Sequence, residues 1–142
     1  NEFQAALGML QLSKIGQALE KRAVLDKRYR EGLAQVRGIT VPQAPAGTKH
    51  NHAYFPVLVE PDYPMRRDEL YLRLREEDIF ARRYFYPLIS DLPMYRGLPS
   101  ANPAFLPVAK SVSERILCLP IYPDLPPDEV DRVIGIVASA TA

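Results

Sequence analysis

Between Ile79 and Tyr86 the sequence reads Ile-Phe-Ala-Arg-Arg-Tyr-Phe-Tyr, followed by Pro87 and Leu88. In an extended backbone alternate side chains point the same way, so Ile79, Ala81, Arg83 and Phe85 share one side and Phe80, Arg82, Tyr84 and Tyr86 the other. The second side carries a guanidinium and two phenols. A guanidinium pairs with carboxylate or phosphate oxygens, and a phenol hydrogen-bonds hydroxyls as donor or acceptor. Together they suit recognition of a polar, anionic ligand. The same pattern also fits ordinary amphipathic side chains on a half-buried sheet edge.

Other reactive groups are sparse. His50-Asn51-His52 has a metal-like spacing but no third ligand at a useful distance in sequence, so no metal is expected. Cys118 lies in the apolar run Ile116–Leu119 and reads as a buried core thiol. A nucleophilic lysine must be desolvated or otherwise perturbed. Lys14, Lys21 and Lys27 fall on the charged side of a helix, Lys49 in a Pro/Gly loop and Lys110 beside a short helix. There is no glycine-rich phosphate loop and no trustworthy Ser/His/Asp order. Taken alone, the sequence contains no active site.

The elements that must position these groups follow from periodicity. Residues 2–36 read as a helical arm, with Phe3, Leu7, Leu10, Ile15, Leu19, Leu25, Tyr29 and Leu33 on its apolar face and a bend expected at Gly16. Its charged face, Asp26 included, reads as solvated. An arm this long requires a partner surface for its apolar face. Residues 39–48, with Pro42, Pro45 and Gly47, read as a loop. Ala53–Val59 is a strand held at an edge or bulge by Pro56, Met65–Glu77 a short helix, and Ile79–Tyr86 a second strand. A helix over 105–113, a short strand over 116–119 and a helix opened by Pro126-Pro127-Asp128-Glu129 complete the chain. The expected class is α+β: a small, mostly antiparallel sheet of about three strands covered by helices, with arm 1–36 and body 50–142 in one domain.

The chain of 142 residues is long enough to bury a core, and its 47% hydrophobic and 25% charged content is that of a globular protein. A net charge of +1 gives no bulk field toward nucleic acid or membrane. An RNA-binding reading of the basic-aromatic run 82–86 is weakened on the same ground. A single cysteine fits a reducing compartment, and the expected location is the cytoplasm. The first residue is Asn1, in sequence already helical, so a piece of a longer protein is expected.

Three segments resemble one family. Asn1-Glu2-Phe3-Gln4-Ala5-Ala6-Leu7-Gly8-Met9-Leu10-Gln11-Leu12 is similar to the M-[TN]-E-x-Q-A-A-L-G-x-x-Q-L segment of the DegT/StrS sugar aminotransferases. Ser113-Glu114-Arg115-Ile116-Leu117-Cys118-Leu119-Pro120-Ile121-Tyr122-Pro123 resembles its S-E-R-x-L-x-L-P-[LI]-[HY]-P segment, and Asp128–Ile134 fits as well.

The resemblance implies the small C-terminal domain of a fold type I aminotransferase, with the large cofactor-binding domain and its Schiff-base lysine absent. It implies pyridoxal phosphate in the parent enzyme and none bound to this chain alone. It also implies a homodimeric parent and amino transfer from glutamate or glutamine to a nucleotide-linked keto-sugar. Residues 81–89 fall where many members carry T-x-x-H-Y-P-P-L-H. Tyr84 stands near the first histidine and Ile89 replaces the second. The Arg-Arg-Tyr-Phe-Tyr-Pro version looks most like members acting on dTDP-keto-6-deoxyhexoses. The resemblance therefore nominates Tyr84, Tyr86, Arg82 and Arg83 for substrate binding, then Asn51 and His52. The competing reading is a free-standing interaction module that docks through its long helix.

Overall fold

A computed structural model describes residues 1–140. The first element, α1 (Glu2–Leu33), is one continuous helix. Asn1 caps it, accepting from the Gln4 amide at 3.0 Å while the Gln4 side chain returns the bond. The helix runs unbroken through Gly16, where a bend between two helices was expected, and a Cβ at that position would meet no atom within 4 Å. The arm ends at Leu33, short of the expected 36, and Gly38 follows at φ +78. A Cβ on Gly38 would lie 2.4 Å from the Tyr63 backbone nitrogen, so both conformation and space require glycine.

The sheet has four strands in the order β1 (Ile39–Thr40), β2 (Phe55–Val59), β4 (Ile116–Leu119), β3 (Arg82–Arg83), all antiparallel. Three strands were expected; the fourth, β1, lies in the stretch that reads as loop. Pro56 sits in an interior strand, yet β1 pairs only with Leu58 and Val59, so no strand flanks Pro56 on that side. The expected strand over 79–86 contracts to Arg82–Arg83, which pairs with Leu117 and Cys118. It stops because the chain turns at Phe85, whose φ is 45.

Helices α2 (Arg67–Glu76), α3 (Pro107–Arg115) and α4 (Pro127–Ser139) complete the α+β body. Residues 89–105 between β3 and α3 form three short 3-10 turns. The core is built from Phe55, Val57 and Leu117 of the sheet, Leu70 and Leu74 of α2, Val130, Val133 and Val137 of α4, and Tyr29 and Leu33 of α1. Gly32 lets α1 approach α4, since a Cβ there would lie 2.6 Å from the Ile134 side chain. Only the C-terminal part of α1 is covered in this way. Phe3, Leu7, Leu10 and Ile15 remain exposed, so the partner surface required by the sequence is not supplied by the described residues.

Candidate functional site

Pairing of β3 with β4 fixes Arg82 and Arg83 on the outer edge of the sheet, and the turn at Phe85 folds the following aromatics back over it. Strict alternation therefore fails beyond Arg83. Arg83 and Tyr86, assigned to opposite sides by an extended reading, stack with 5.2 Å between the guanidinium carbon and the ring centre. Tyr86 also meets Arg67 at 4.9 Å. Tyr86 thus has two cations within reach of its ring, a contact favoured by the electron-rich ring face.

Arg67 is the foundation of this cluster. It is 3% exposed and donates through Nη1 to the carbonyls of Ser113 and Ile116, both at 3.0 Å. It also pairs with Asp68 at 2.8 Å, and Asp68 reaches Arg83 at 3.5 Å. No local pattern announces a buried arginine at the start of α2. Arg83 also lies over Tyr71. A hydrogen bond from Arg75 at 3.0 Å, aided by the charges of Arg75 and Arg83, holds the Tyr71 phenol below its ordinary value against a smaller opposing effect of desolvation.

Tyr84 faces a neighbour that sequence reasoning missed. Tyr54, just before β2, meets it edge-to-face with ring centres 5.4 Å apart. These two tyrosines, with Arg82, Phe85 and Cys118, line a cleft of about 260 Å³. No local signal links positions 54 and 84; only the shared neighbour β4 brings them together. Among the described residues Arg82 has no ion-pair or hydrogen-bond partner, and the hydroxyls of Tyr54, Tyr84 and Tyr86 make no hydrogen bond to the protein. Burial pushes the Cys118 thiol up to about 11, with the Arg82 charge pulling weakly the other way, so it is no nucleophile here. Beyond Phe85 a second, more apolar cleft of about 460 Å³ is lined by Tyr86, Pro87, Leu88, Ile89 and Leu106.

Asn51 and His52 belong to another neighbourhood. Asn51 Oδ1 accepts from the Ala53 amide at 3.1 Å in a local turn, and His52 sits 3.4 Å from Asp26 of α1. The sequence placed Asp26 on a solvated face, whereas the structure buries it to 5% exposure beneath this loop.

No lysine among the described residues is buried. Lys21 pairs with Asp124 at 2.9 Å and Lys27 with Glu31 at 3.8 Å. A hydrogen bond from Lys110 to Asp91 raises its pKa and keeps it charged. Lys14 and Lys49 are exposed. The described residues therefore do not by themselves fit a pyridoxal phosphate site, which requires a desolvated or otherwise perturbed lysine. What the sheet edge offers is the Arg82 guanidinium, the hydroxyls of Tyr54, Tyr84 and Tyr86, and an apolar trough.

The sequence profile of the DegT/DnrJ/EryC1/StrS aminotransferase family matches residues 1–138. The chain belongs to that family. It is 44% identical over 133 residues to an Escherichia coli dTDP-4-amino-4,6-dideoxy-D-glucose transaminase, covering 94% of this chain and 36% of the relative. A Shigella dysenteriae protein of the same name is 38% identical, with 96% and 37% covered. Among solved structures, S. venezuelae DesV superposes with a TM-score of 0.85 at 31% identity, covering 99% of this chain and 37% of that one. DesI, solved in the presence of its TDP-sugar product, superposes at 0.81 with 26% identity, covering 96% and 35%. The chain spans little more than a third of the length of these relatives.

Proposed function

We propose that this chain is the small domain of a pyridoxal-phosphate-dependent aminotransferase that moves an amino group from glutamate or glutamine onto a dTDP-linked keto-6-deoxyhexose. The observation that carries the reading is the pairing of family membership over residues 1–138 with a surface whose polar groups are left unused by the fold. The cofactor supplies the electron sink in such enzymes. This chain's residues bind and orient the substrate. Arg82 pairs with diphosphate oxygens. Tyr84 and Tyr54 hydrogen-bond sugar hydroxyls. Arg67 and Arg83 hold the Tyr86 ring as a rigid wall. Burying these groups against a ligand also excludes water from the sugar side of the cleft.

In this reading the exposed apolar start of α1 packs on the large domain or on a second copy in a homodimer, and the parent acts in the cytoplasm. The absence of a helix long and apolar enough to cross a membrane among the described residues is compatible with that location. The chain alone is inactive, since it offers no suitable lysine.

The test is amino transfer by the full-length protein, loaded with pyridoxal phosphate and given glutamate or glutamine and a dTDP-linked keto-6-deoxyhexose, with the amino sugar detected by mass. The isolated chain treated with pyridoxal phosphate and borohydride is expected to give no pyridoxyl adduct on one specific lysine. A defined adduct there would refute the division of labour, and absence of amino sugar from the full-length protein would refute the substrate.

A further inference from the structure

Away from that cleft, the loop leading into β2 meets α1 in a cluster of three ligand-type side chains. One donor atom from each of Asp26, His50 and His52 lies within 4.8 Å of the others. The His50 and His52 Nδ1 atoms are 3.2 Å apart, and His52 Nδ1 is 3.4 Å from Asp26 Oδ2. Two nitrogens each bound to zinc in a tetrahedral arrangement are separated by about 3.3 Å, so both spacings match neighbouring ligands of one ion. Sequence spacing supplied only the two histidines; the fold supplies the carboxylate from a helix 24 positions upstream of His50.

The second observation concerns Asp26 itself. Its side chain is 7% exposed, and Oδ2 has no hydrogen-bond partner, although a buried carboxylate oxygen is costly to leave unsatisfied. Arg30 serves only Oδ1, at 2.7 Å, and turns its Nη1 to the Pro42 carbonyl at 3.1 Å. The imidazoles do not resolve the shortage neatly. His52 Nδ1 carries at most one proton and faces two acceptors, Asp26 Oδ2 and His50 Nδ1. His50 Nδ1 also accepts from the His52 amide at 3.1 Å. A dication bound by both rings and Oδ2 would satisfy the carboxylate and replace these competing contacts.

We infer that Asp26, His50 and His52 form a binding site for a single transition-metal dication of the zinc class, which clips the loop before β2 to α1. Imidazole and carboxylate donors suit zinc, and three protein ligands leave one position open to water. Arg30 partly neutralises Asp26 and so moderates the affinity. The clip anchors the segment that presents Tyr54 to Tyr84, so metal occupancy stiffens one wall of the proposed sugar cleft without touching it.

The experiment uses tag-free, chelator-treated protein titrated calorimetrically with zinc sulfate, and with cobalt(II) followed by visible absorption. A single equivalent of zinc is expected to bind, cobalt is expected to show the intense bands of a low-coordinate site, and thermal unfolding is expected to shift upward with zinc. His50→Asn alters an exposed residue and leaves the fold intact by circular dichroism, yet is expected to weaken zinc binding by about tenfold or more. His50→Asn with His52→Asn is expected to abolish it. No heat of zinc binding in the unsubstituted protein, or equal binding by the double variant, overturns the inference. A calcium or magnesium titration that matches zinc would overturn its assignment to this class of metal. None of these readouts depends on aminotransferase activity.

Discussion

The protein uses tyrosine and arginine in two opposite ways. In the core, Tyr29 is fully buried, stacks on Phe55 with ring centres 4.7 Å apart and donates to the Pro120 carbonyl at 3.0 Å. Tyr63 is 5% exposed and donates to the Val137 carbonyl at 2.7 Å. At the sheet edge Tyr54, Tyr84 and Tyr86 keep their rings packed but their hydroxyls unclaimed among the described residues. Arginines divide likewise: Arg67 is consumed by backbone carbonyls, whereas the Arg82 guanidinium has no hydrogen-bond or ion-pair partner among the described residues. The hydroxyls of Tyr29 and Tyr63 and the guanidinium of Arg67 are spent on backbone carbonyls, whereas the groups at the sheet edge stay open to a ligand.

The largest test of this division is Tyr29→Ala, which removes an aromatic side chain from the middle of the core and is expected to cost about 3–5 kcal/mol in denaturant unfolding. Arg67→Met should follow, at about 2–3 kcal/mol, because the Ser113 and Ile116 carbonyls lose a charged donor; full stability in this variant would mean that the arginine belongs to the site and not to the scaffold. Alkaline pH sharpens the contrast. Burial raises the Tyr63 phenol to about 12 and moves Tyr29 in the same direction, with Cys118 raised to about 11. Their protons are held more tightly when folded, so this contribution is intact below about pH 9 and is lost as pH climbs through the folded values. Tyr63→Phe should flatten the decline between pH 10 and about 12. The smallest effect belongs to Arg28→Ala, which breaks the exposed, solvent-screened pair with Asp131 and should leave the denaturant midpoint close to that of the unsubstituted protein.

Much of this architecture is legible in the residues. Helical spacing gives α1 and α4, the apolar run 116–119 gives β4, and Pro127 with its following acids marks where α4 begins. What period alone does not carry is where regularity stops. The contraction of the second expected strand to Arg82–Arg83 depends on a turn at Phe85 that has neither glycine nor asparagine to announce it. The site is legible in part for the same reason. Arg82, Arg83, Tyr84 and Tyr86 are adjacent in sequence and stand out together. Tyr54, Arg67 and Asp26 acquire their roles from contacts across the fold, which local patterns do not encode. His52 is near Tyr54 in sequence but faces Asp26 of α1, beside a turn at its own φ of 49, and Asn51 is spent on the Ala53 amide.

The account rests on Arg82 and Tyr84 being spare for the scaffold and needed for the nucleotide sugar. The most direct measurement is the KM of the full-length protein for a dTDP-linked keto-6-deoxyhexose in Arg82→Gln and Tyr84→Phe, beside the unfolding free energy of each. The account predicts a KM raised by about tenfold in Arg82→Gln, the loss of roughly one charged hydrogen bond, and a smaller rise in Tyr84→Phe. Both variants should stay within about 0.5 kcal/mol of the parent in stability. An unchanged KM in both, or a stability loss as large as that of Arg67→Met, would contradict it.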